Sequence, residues 1–169
     1  MSEITAKTPW ESSMGDVPMH LDYFEGSLYE GVARAAEKYP YNIAYDFMGR
    51  STSYREMVQS IDLCARALKT LGIRAGDCMT IAMPNCPQAI CMFYAVNLVG
   101  GIANMIHPLS AEKEIEFYLN ASHSVSAITL DQFYHKFEHI RQNTGVVNII
   151  IASIKDALSR PVRAGYMLT

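Results

Sequence analysis

Four short apolar segments alternate with helix-forming segments in the second half of the sequence. The apolar segments are residues 79–83, 102–106, 125–130 and 147–152. Strands that are buried on both faces read as short continuous apolar runs, and parallel strands need long crossovers, which helices supply. The sequence therefore predicts an α/β fold of three layers, with a mostly parallel sheet flanked by helices.

Two helix starts are marked by the same local signal, a serine followed three residues later by a glutamate. Ser27 with Glu30 and Ser53 with Glu56 have the spacing of a capping box. Gly72 follows the apolar stripe of the second helix and is predicted to end it as a C′ residue. These signals place two helices before the first buried strand.

The remaining elements follow from turn residues and apolar spacing. Residues 43–47 and 52–54 flank a short turn and predict a β-hairpin. A helix that starts at Pro87 is apolar nearly all round, so we expect it to lie between layers. Ser110 is predicted to cap the next helix, with Tyr118 on its inward face.

The domain organisation is predicted in three parts. Residues 1–26 mix proline and glycine with scattered polar groups and read as an irregular N-terminal arm. Residues 27–159 form the α/β subdomain. Residues 160–169 show no periodicity and read as an unfinished tail where the chain is cut.

Charge and hydropathy exclude several classes of function. The net charge of -3 comes from 14 basic and 17 acidic side chains without a basic run, which argues against a nucleic-acid partner. The first ten residues lack a secretion signal, and the apolar run at 89–96 is too short for a transmembrane segment. We expect a protein of the cytoplasm.

The four cysteines, Cys64, Cys78, Cys86 and Cys91, lack the Cys-x-x-Cys spacing of a zinc site or redox pair. Three of them lie within apolar stretches, where an unpaired cysteine behaves as a small hydrophobic residue. The sequence predicts buried structural thiols.

The histidines offer one minor candidate for substrate binding. His107 follows a predicted parallel strand, at the edge where open α/β sheets bind ligands, and an imidazole ring suits acid–base chemistry. A histidine in this position without a visible partner is more often a hydrogen-bonded loop residue. His135 and His139 share a helix, but Lys136 stands where a metalloprotease would have its base, so a solvated face is the better interpretation.

No other local pattern carries chemistry. The Gly100-Gly101 pair ends a helix instead of opening one, and neither a phosphate-binding loop nor a Gly-x-Ser-x-Gly nucleophile motif occurs. Glu112, Glu114 and Glu116 are interpreted as a solvated helix start, which negative charge favours. We therefore assign no catalytic, cofactor-binding or metal-ligating residue.

Three segments in order resemble the adenylate-forming superfamily, which includes acyl-CoA synthetases and peptide-synthetase adenylation domains. Residues 52–57, Thr-Ser-Tyr-Arg-Glu-Met, are similar to its Thr-Tyr-x-Glu-Leu helix entry. Residues 68–77, Leu-Lys-Thr-Leu-Gly-Ile-Arg-Ala-Gly-Asp, precede an apolar strand and Pro-Asn-Cys-Pro at 84–87. Residues 95–104, Ala-Val-Asn-Leu-Val-Gly-Gly-Ile-Ala-Asn, lead to His107-Pro108. The resemblance covers roughly residues 27–130.

The resemblance implies an enzyme that activates a carboxylate with ATP and Mg²⁺ and transfers the acyl group to CoA. The family's phosphate loop is rich in Ser, Thr and Gly and ends in Pro-Lys. That loop, the aromatic-Gly-x-Thr-Glu segment, the ribose-binding Asp and the C-terminal Lys all lie beyond the matched stretch. The chain is therefore expected to be the N-terminal part of the enzyme, inactive alone and without a bound cofactor.

The third segment favours one branch of the superfamily. Peptide-synthetase domains show Lys-Ala-Gly-x-Ala-Tyr-Val-Pro there, whereas residues 98–105 read Leu-Val-Gly-Gly-Ile-Ala-Asn-Met. This difference favours an acyl-CoA synthetase for medium- or long-chain fatty acids. The alternatives are an amino-acid-activating adenylation domain, a non-catalytic α/β interaction module and an unrelated doubly wound nucleotide-binding protein.

A truncated domain is also expected to leave apolar surface uncovered. Helix 87–99 and the last strand are the predicted sites of that surface. Exposed apolar patches promote association, so the chain is expected to self-associate.

Overall fold

The computed structural model describes residues 9–10, 13–18 and 20–159, together with Val162 and Gly165. Helices and strands alternate through most of this part of the chain. The helices are α1 (Leu28–Lys38), α2 (Tyr54–Thr70), α3 (Pro87–Leu98), α4 (Glu112–Ala121) and α5 (Tyr134–Ile140). The strands are β1 (Ile43–Phe47), β2 (Arg50–Ser53), β3 (Cys78–Ala82), β4 (Ile102–Met105), β5 (Ser124–Leu130) and β6 (Asn148–Ala152).

The main sheet has the strand order β4-β3-β5-β6, and every neighbouring pair in it is parallel. Strands β1 and β2 form a separate antiparallel hairpin. The predicted α/β fold, with a parallel sheet flanked by helices, is confirmed. The expected hairpin is also present.

The sheet separates two hydrophobic clusters because side chains alternate between the faces of a strand. Met79 and Ile81 of β3 pack in one cluster with residues of α2 and α3. Ala82 and Ala127 lie in the other cluster with residues of α4 and α5. All five residues of β3 are buried, as predicted for a strand covered on both faces.

Local capping signals set the helix ends as predicted. The hydroxyl of Ser27 accepts a hydrogen bond from the N–H of Glu30, and the Glu30 carboxylate accepts one from the N–H of Ser27 at 2.6 Å. Ser53 and Glu56 repeat this reciprocal pair at the start of α2. Gly72, with φ of +86°, then ends α2 in a Schellman motif.

Two details of α4 differ from the prediction. Its N-cap is Ala111, not Ser110, and the N–H of Ala111 donates to the Glu114 carboxylate at 3.1 Å. The carbonyl of Ser110 instead accepts a hydrogen bond from the Lys136 ammonium at 3.0 Å. The prediction that Tyr118 faces inward is wrong. Its side chain is 39% exposed, because Ile115 and Leu119 form the buried face of α4.

A buried polar network ties the middle of the sheet to its neighbours. Thr80 and Ser124 share a hydrogen bond of 2.7 Å, and the Asn104 amide donates to the Thr80 hydroxyl at 2.9 Å. Asn104 also donates to Ser122, whose hydroxyl lies 2.8 Å from that of Ser124. These polar groups are hydrogen-bonded to one another, and their hydrogen bonds stabilise the register of β3, β4 and β5.

The predicted arm and tail fall partly outside the described residues. Residues 1–8, 11–12 and 19 of the arm, and most of 160–169, are not among them. Trp10 is 61% exposed, and the Arg34 guanidinium lies 4.0 Å from the ring centre of Phe24. No helix in the described ranges is long and apolar enough to cross a membrane.

Candidate functional site

A cavity of about 380 Å³ lies between the hairpin, helices α2 and α3, and the carboxyl end of β6. Ligand pockets in proteins typically measure roughly 300–1,000 Å³, so this cavity is large enough for a small molecule or a buried side-chain cluster. Its floor is apolar, formed by Phe47, Cys91, Met92 and Ile128.

The position of the cavity follows from the chain path. Helix α3 starts with Pro87 and Gln88 directly after β3, and Ala152 ends β6, so these residues meet at the carboxyl edge of the sheet. The hairpin closes the cavity from outside. Its turn is made possible by Gly49 at φ +75°, whose N–H donates to the Asp46 carboxylate at 3.2 Å.

The most informative polar group in this cavity is the Gln88 side chain. Its amide nitrogen donates to the carbonyl oxygen of Ser153 at 2.8 Å. Its amide oxygen is buried and has no hydrogen-bond partner among the described residues. A buried acceptor without a donor costs about 1–3 kcal/mol, so this oxygen calls for a donor from outside the described residues, whether water, ligand or polypeptide.

Arg50 supplies a positive charge at the rim of the cavity. Its side chain lines the cavity together with Thr52 and Ser60. The ion pairs formed within the described part of the chain are His139–Glu112 and Arg141–Glu138, so Arg50 takes part in neither. Glu56 and Asp156 also line the cavity, so its charged side chains are one cation and two carboxylates and do not favour an anionic ligand.

Thiols near this cavity are held in the neutral form. Burial raises the pKa of Cys91 to about 11, and the neighbouring thiol of Cys64 adds to the shift. Burial likewise raises the pKa values of Cys64 and Cys86. Since the thiolate is the reactive form, none of these groups suits nucleophilic catalysis at neutral pH.

The prediction of buried structural thiols is confirmed for Cys78, Cys86 and Cys91, whereas Cys64 is half-buried. All four are free cysteines.

A second cavity, of about 410 Å³, lies between α1, β1, α2 and α3. Its walls are mostly apolar and include Met57, Ile90 and Phe93. Tyr45 lines both cavities, and burial raises the pKa of its phenol. The phenol therefore stays neutral and forms part of the packing between the two spaces.

His107 lies on the surface just after β4 and lines neither cavity. Its Nδ1 atom accepts a hydrogen bond from the N–H of Leu109 at 3.2 Å. The turn continues with the N–H of Ser110 donating to the His107 carbonyl oxygen. This is the geometry of a loop-stabilising histidine, and its role in substrate binding stays a prediction.

The other histidines and the acidic side chains of α4 have structural partners. His139 lies 2.8 Å from the Glu112 carboxylate, and His135 is exposed. Glu114 accepts from Ala111, and Glu116 accepts from the amide of Asn143 at 3.2 Å. Within the described ranges, no group of three or more His, Cys, Asp or Glu side chains is placed to hold a metal ion.

Comparison with known proteins decides the family. The sequence model of the AMP-binding enzyme family matches residues 32–164. The chain belongs to this family. A long-chain-fatty-acid–CoA ligase of Bacillus subtilis is 29% identical over 165 residues, which cover 97% of this chain and 30% of that protein. The chain thus spans about a third of this relative's length.

Solved structures of family members show the same fold. A fatty acyl CoA synthetase of Mycobacterium tuberculosis superposes with a TM-score of 0.69 at 26% identity, covering 82% of this chain and 28% of that one. A long-chain-fatty-acid-CoA ligase of Archaeoglobus fulgidus gives a TM-score of 0.70 at 22% identity, covering 81% and 30%. The predicted resemblance to the N-terminal part of an adenylate-forming acyl-CoA synthetase is confirmed.

Sequence reasoning did not find the cavity or its polar residues. Arg50 stands in the hairpin segment and Gln88 in the first turn of α3, and neither belongs to a motif. Gln88 becomes notable only when its partner Ser153, 65 residues away, is brought against it by the fold. No local pattern signals such a contact.

Proposed function

We propose that this chain is the N-terminal part of an ATP-dependent acyl-CoA ligase that acts on a fatty acid. In the first step a carboxylate oxygen of the acid attacks the α-phosphorus of ATP, and pyrophosphate leaves. In the second step the CoA sulfur attacks the acyl carbon of the adenylate, and AMP leaves. Both reactions belong to the whole enzyme.

The observation that carries this proposal is the extent of the family match. It runs from residue 32 to residue 164, and the Bacillus subtilis ligase aligns along nearly the whole chain. The parallel sheet and the helices on its two faces support a scaffold role, because they form one packed unit.

The described residues do not fit ATP or its magnesium ion. A triphosphate needs backbone N–H groups at a glycine-rich loop or helix start, usually with a lysine. Helix α3, which follows β3, begins with Cys86 and Pro87, and proline has no N–H to offer. Gly72 and Gly100 end helices instead. We therefore assign no residue of this chain to the nucleotide, and we propose that the chain is inactive alone.

The proposal is tested with the longest polypeptide that the gene of this chain encodes. Palmitate, octanoate and a panel of amino acids are supplied with ATP, Mg²⁺ and CoA, and AMP and thioester are quantified. We expect AMP and thioester to form in equal amounts with fatty acids. Adenylation of amino acids without thioester formation would favour the amino-acid-activating alternative. A reading frame that ends at Thr169 would favour a non-catalytic module.

Two further properties accompany this proposal. We propose a cytoplasmic location for this protein. We also propose that the isolated chain self-associates, because Ile151 of the last strand is half exposed, as are Ile102 and Met105 at the opposite edge of the sheet. Helix 87–99, the other predicted site of uncovered apolar surface, has no exposed residue, so that part of the prediction is wrong. The two properties are checked by microscopy of a tagged protein and by light scattering.

A further inference from the structure

The first cavity, the space of about 380 Å³ that Gln88 and Ile128 line, lies where the chain connections of two neighbouring strands diverge. Strand β3 leads into α3, which packs on the same face of the sheet as α2, whereas β5 leads into α5 on the opposite face. Strands β3 and β5 are neighbours in the sheet. Open α/β sheets bind ligands at the carboxyl edge at such a point.

The floor of the first cavity is held in place by packed elements. Cys91, Met92 and Ile128 line the cavity and are buried members of the hydrophobic cluster beneath α2 and α3, and Ala152 at the end of β6 packs against the same cluster. The floor is therefore preformed in the described part of the chain, as is usual for small-molecule sites.

The Gln88 side chain presents a buried acceptor to this cavity. Its amide nitrogen donates to the Ser153 carbonyl oxygen at 2.8 Å, which sets the orientation of the amide group. Among the described residues, the amide oxygen of Gln88 is the one buried side-chain nitrogen or oxygen that lacks a hydrogen-bond partner. Since buried acceptors are normally satisfied, the cavity favours a ligand that carries an N–H or O–H donor.

The charged side chains of the cavity favour a neutral ligand. Arg50, Glu56 and Asp156 line it, so an anionic ligand would meet two carboxylates. The Glu56 carboxylate already accepts hydrogen bonds from the N–H and the hydroxyl of Ser53, at 2.8 and 2.7 Å. A cationic group beside the Gln88 oxygen would be buried on an apolar floor without a free carboxylate from Glu56, which costs free energy.

We propose that the first cavity binds a small neutral carboxamide with an apolar chain. Its N–H donates to the Gln88 oxygen, its carbonyl oxygen accepts from the Arg50 guanidinium at the rim, and its chain lies against Phe47 and Met92. A carboxamide supplies a donor and an acceptor without a charge. This inference does not depend on the ligase activity.

The experiment compares three probes, hexanamide, heptan-2-one and hexylamine, by saturation-transfer NMR titration of the whole chain. Hexanamide and heptan-2-one share the carbon chain and the carbonyl group and differ in an NH₂ or a CH₃ group. Hexanamide should bind about tenfold more tightly than the ketone, which leaves the Gln88 oxygen without a donor. Hexylamine, a cation at neutral pH, should also bind more weakly than hexanamide.

Equal or tighter binding of the ketone or the amine would overturn the proposal. No binding of hexanamide, the result expected if water satisfies the Gln88 oxygen, would also overturn it.

Two matched variants locate the effect. Gln88→Met removes the acceptor at similar side-chain length, and Gln132→Met makes the same change at an exposed residue that does not line the cavity. Gln88→Met should lose the tenfold preference for the amide over the ketone, whereas Gln132→Met should keep it. A preference that survives in Gln88→Met would contradict the proposal. Far-UV circular dichroism checks that both variants are folded.

If Gln88→Met does not fold, chemical-shift mapping of the unmodified chain decides. Hexanamide should shift the side-chain amide signals of Gln88 and the backbone amide signal of Met92. Shifts confined to the second cavity, at Phe93 and Tyr94, would overturn the proposal.

The same titration with the longest polypeptide that the gene of this chain encodes separates a ligand from a further segment of the protein. We expect hexanamide to bind the longer polypeptide with the same preference over the ketone. Binding to the chain but not to the longer polypeptide would show that polypeptide occupies the cavity, and the proposal would fail.

Discussion

The middle strands and the edge strands of the main sheet differ in how completely the chain itself covers them. Strand β3 is buried at every position, and β5 at every position except Val125. In β4 and β6, by contrast, no residue is fully buried. The described residues thus bury the middle strands of the sheet almost completely, whereas they leave the two edge strands partly exposed.

The polar groups follow the same division. Thr80, Ser124 and Thr129 lie in the middle strands, are buried and have hydrogen-bond partners within the protein. At the β6 end, the Gln88 oxygen is buried without a described partner. Since buried polar groups are normally satisfied, this oxygen distinguishes the β6 end of the sheet from its middle strands.

The largest expected effect comes from truncating a side chain in the middle strand. Ile81→Ala should lower the free energy of unfolding by roughly 2–5 kcal/mol, because Ile81 is completely buried and the change leaves a cavity. Ile102→Ala on β4, where more than half of the side chain is exposed, should cost less than about 1 kcal/mol. Urea unfolding of both variants measures the two losses in free energy of unfolding. Equal losses would contradict the difference between middle and edge strands.

A second prediction concerns burial in helix α3, which packs on the sheet and carries Cys91. The folded pKa of Cys91, about 11, lies above its ordinary value of 9.0. Its contribution to stability is therefore fully present below pH 9 and is lost as pH rises toward 11, at about 1.4 kcal/mol per pH unit. Cys91→Ala should remove this part of the alkaline decline. Identical pH profiles for the two proteins would show that the thiol of Cys91 has the same pKa in the folded and unfolded protein.

The polar network of the middle strands gives a third prediction. Thr80→Val should cost about 1–3 kcal/mol, because Ser124 and Asn104 lose a buried partner. Combined with Ser124→Ala, the total should be less than the sum of the single losses, since the two residues share one network. Thr70→Val is the control, because its exposed hydroxyl bonds only to the Arg66 carbonyl. Additive losses would mean that the network does not act as a unit.

The smallest expected effect concerns the start of α2. Ser53→Ala should cost about 1 kcal/mol at neutral pH, because it removes the cap. Hydrogen bonds from Ser53 lower the pKa of Glu56 below 4.5. The contribution of these hydrogen bonds to stability is therefore present above pH 4.5 and is lost as the pH falls through the folded pKa of Glu56. The difference in stability between the variant and the unmodified protein should therefore become smaller at low pH. Ser60→Ala on the same helix is the control, and thermal unfolding at pH 7 and pH 3 measures both.

Sequence predicted those parts of the fold that local chemistry decides. The capping boxes at Ser27 and Ser53 and the Schellman motif at Gly72 depend on residues within five positions of one another. The buried strands were also predictable, because strands covered on both faces read as mostly apolar runs, as β3 does with Thr80 as its one polar residue.

The rest could not be predicted because it depends on contacts between distant residues. Ser110 has a favourable N-cap side chain, yet α4 begins after Ala111, and the Ser110 carbonyl pairs with Lys136 from α5. The cavity residues Arg50 and Gln88 meet only after the hairpin folds over the sheet. The family resemblance indicated the scaffold, but it carried over no residue of the reaction.

Our central proposal is that this chain provides part of the scaffold of an acyl-CoA ligase and none of its catalytic residues. The most direct test is fatty-acid-dependent exchange of labelled pyrophosphate into ATP, measured for this chain alone and for the longest polypeptide that its gene encodes. We predict exchange by the longer polypeptide and none above background by the chain alone. Exchange by the chain alone would contradict this account. So would a lack of exchange by the longer polypeptide when it is supplied with fatty acids.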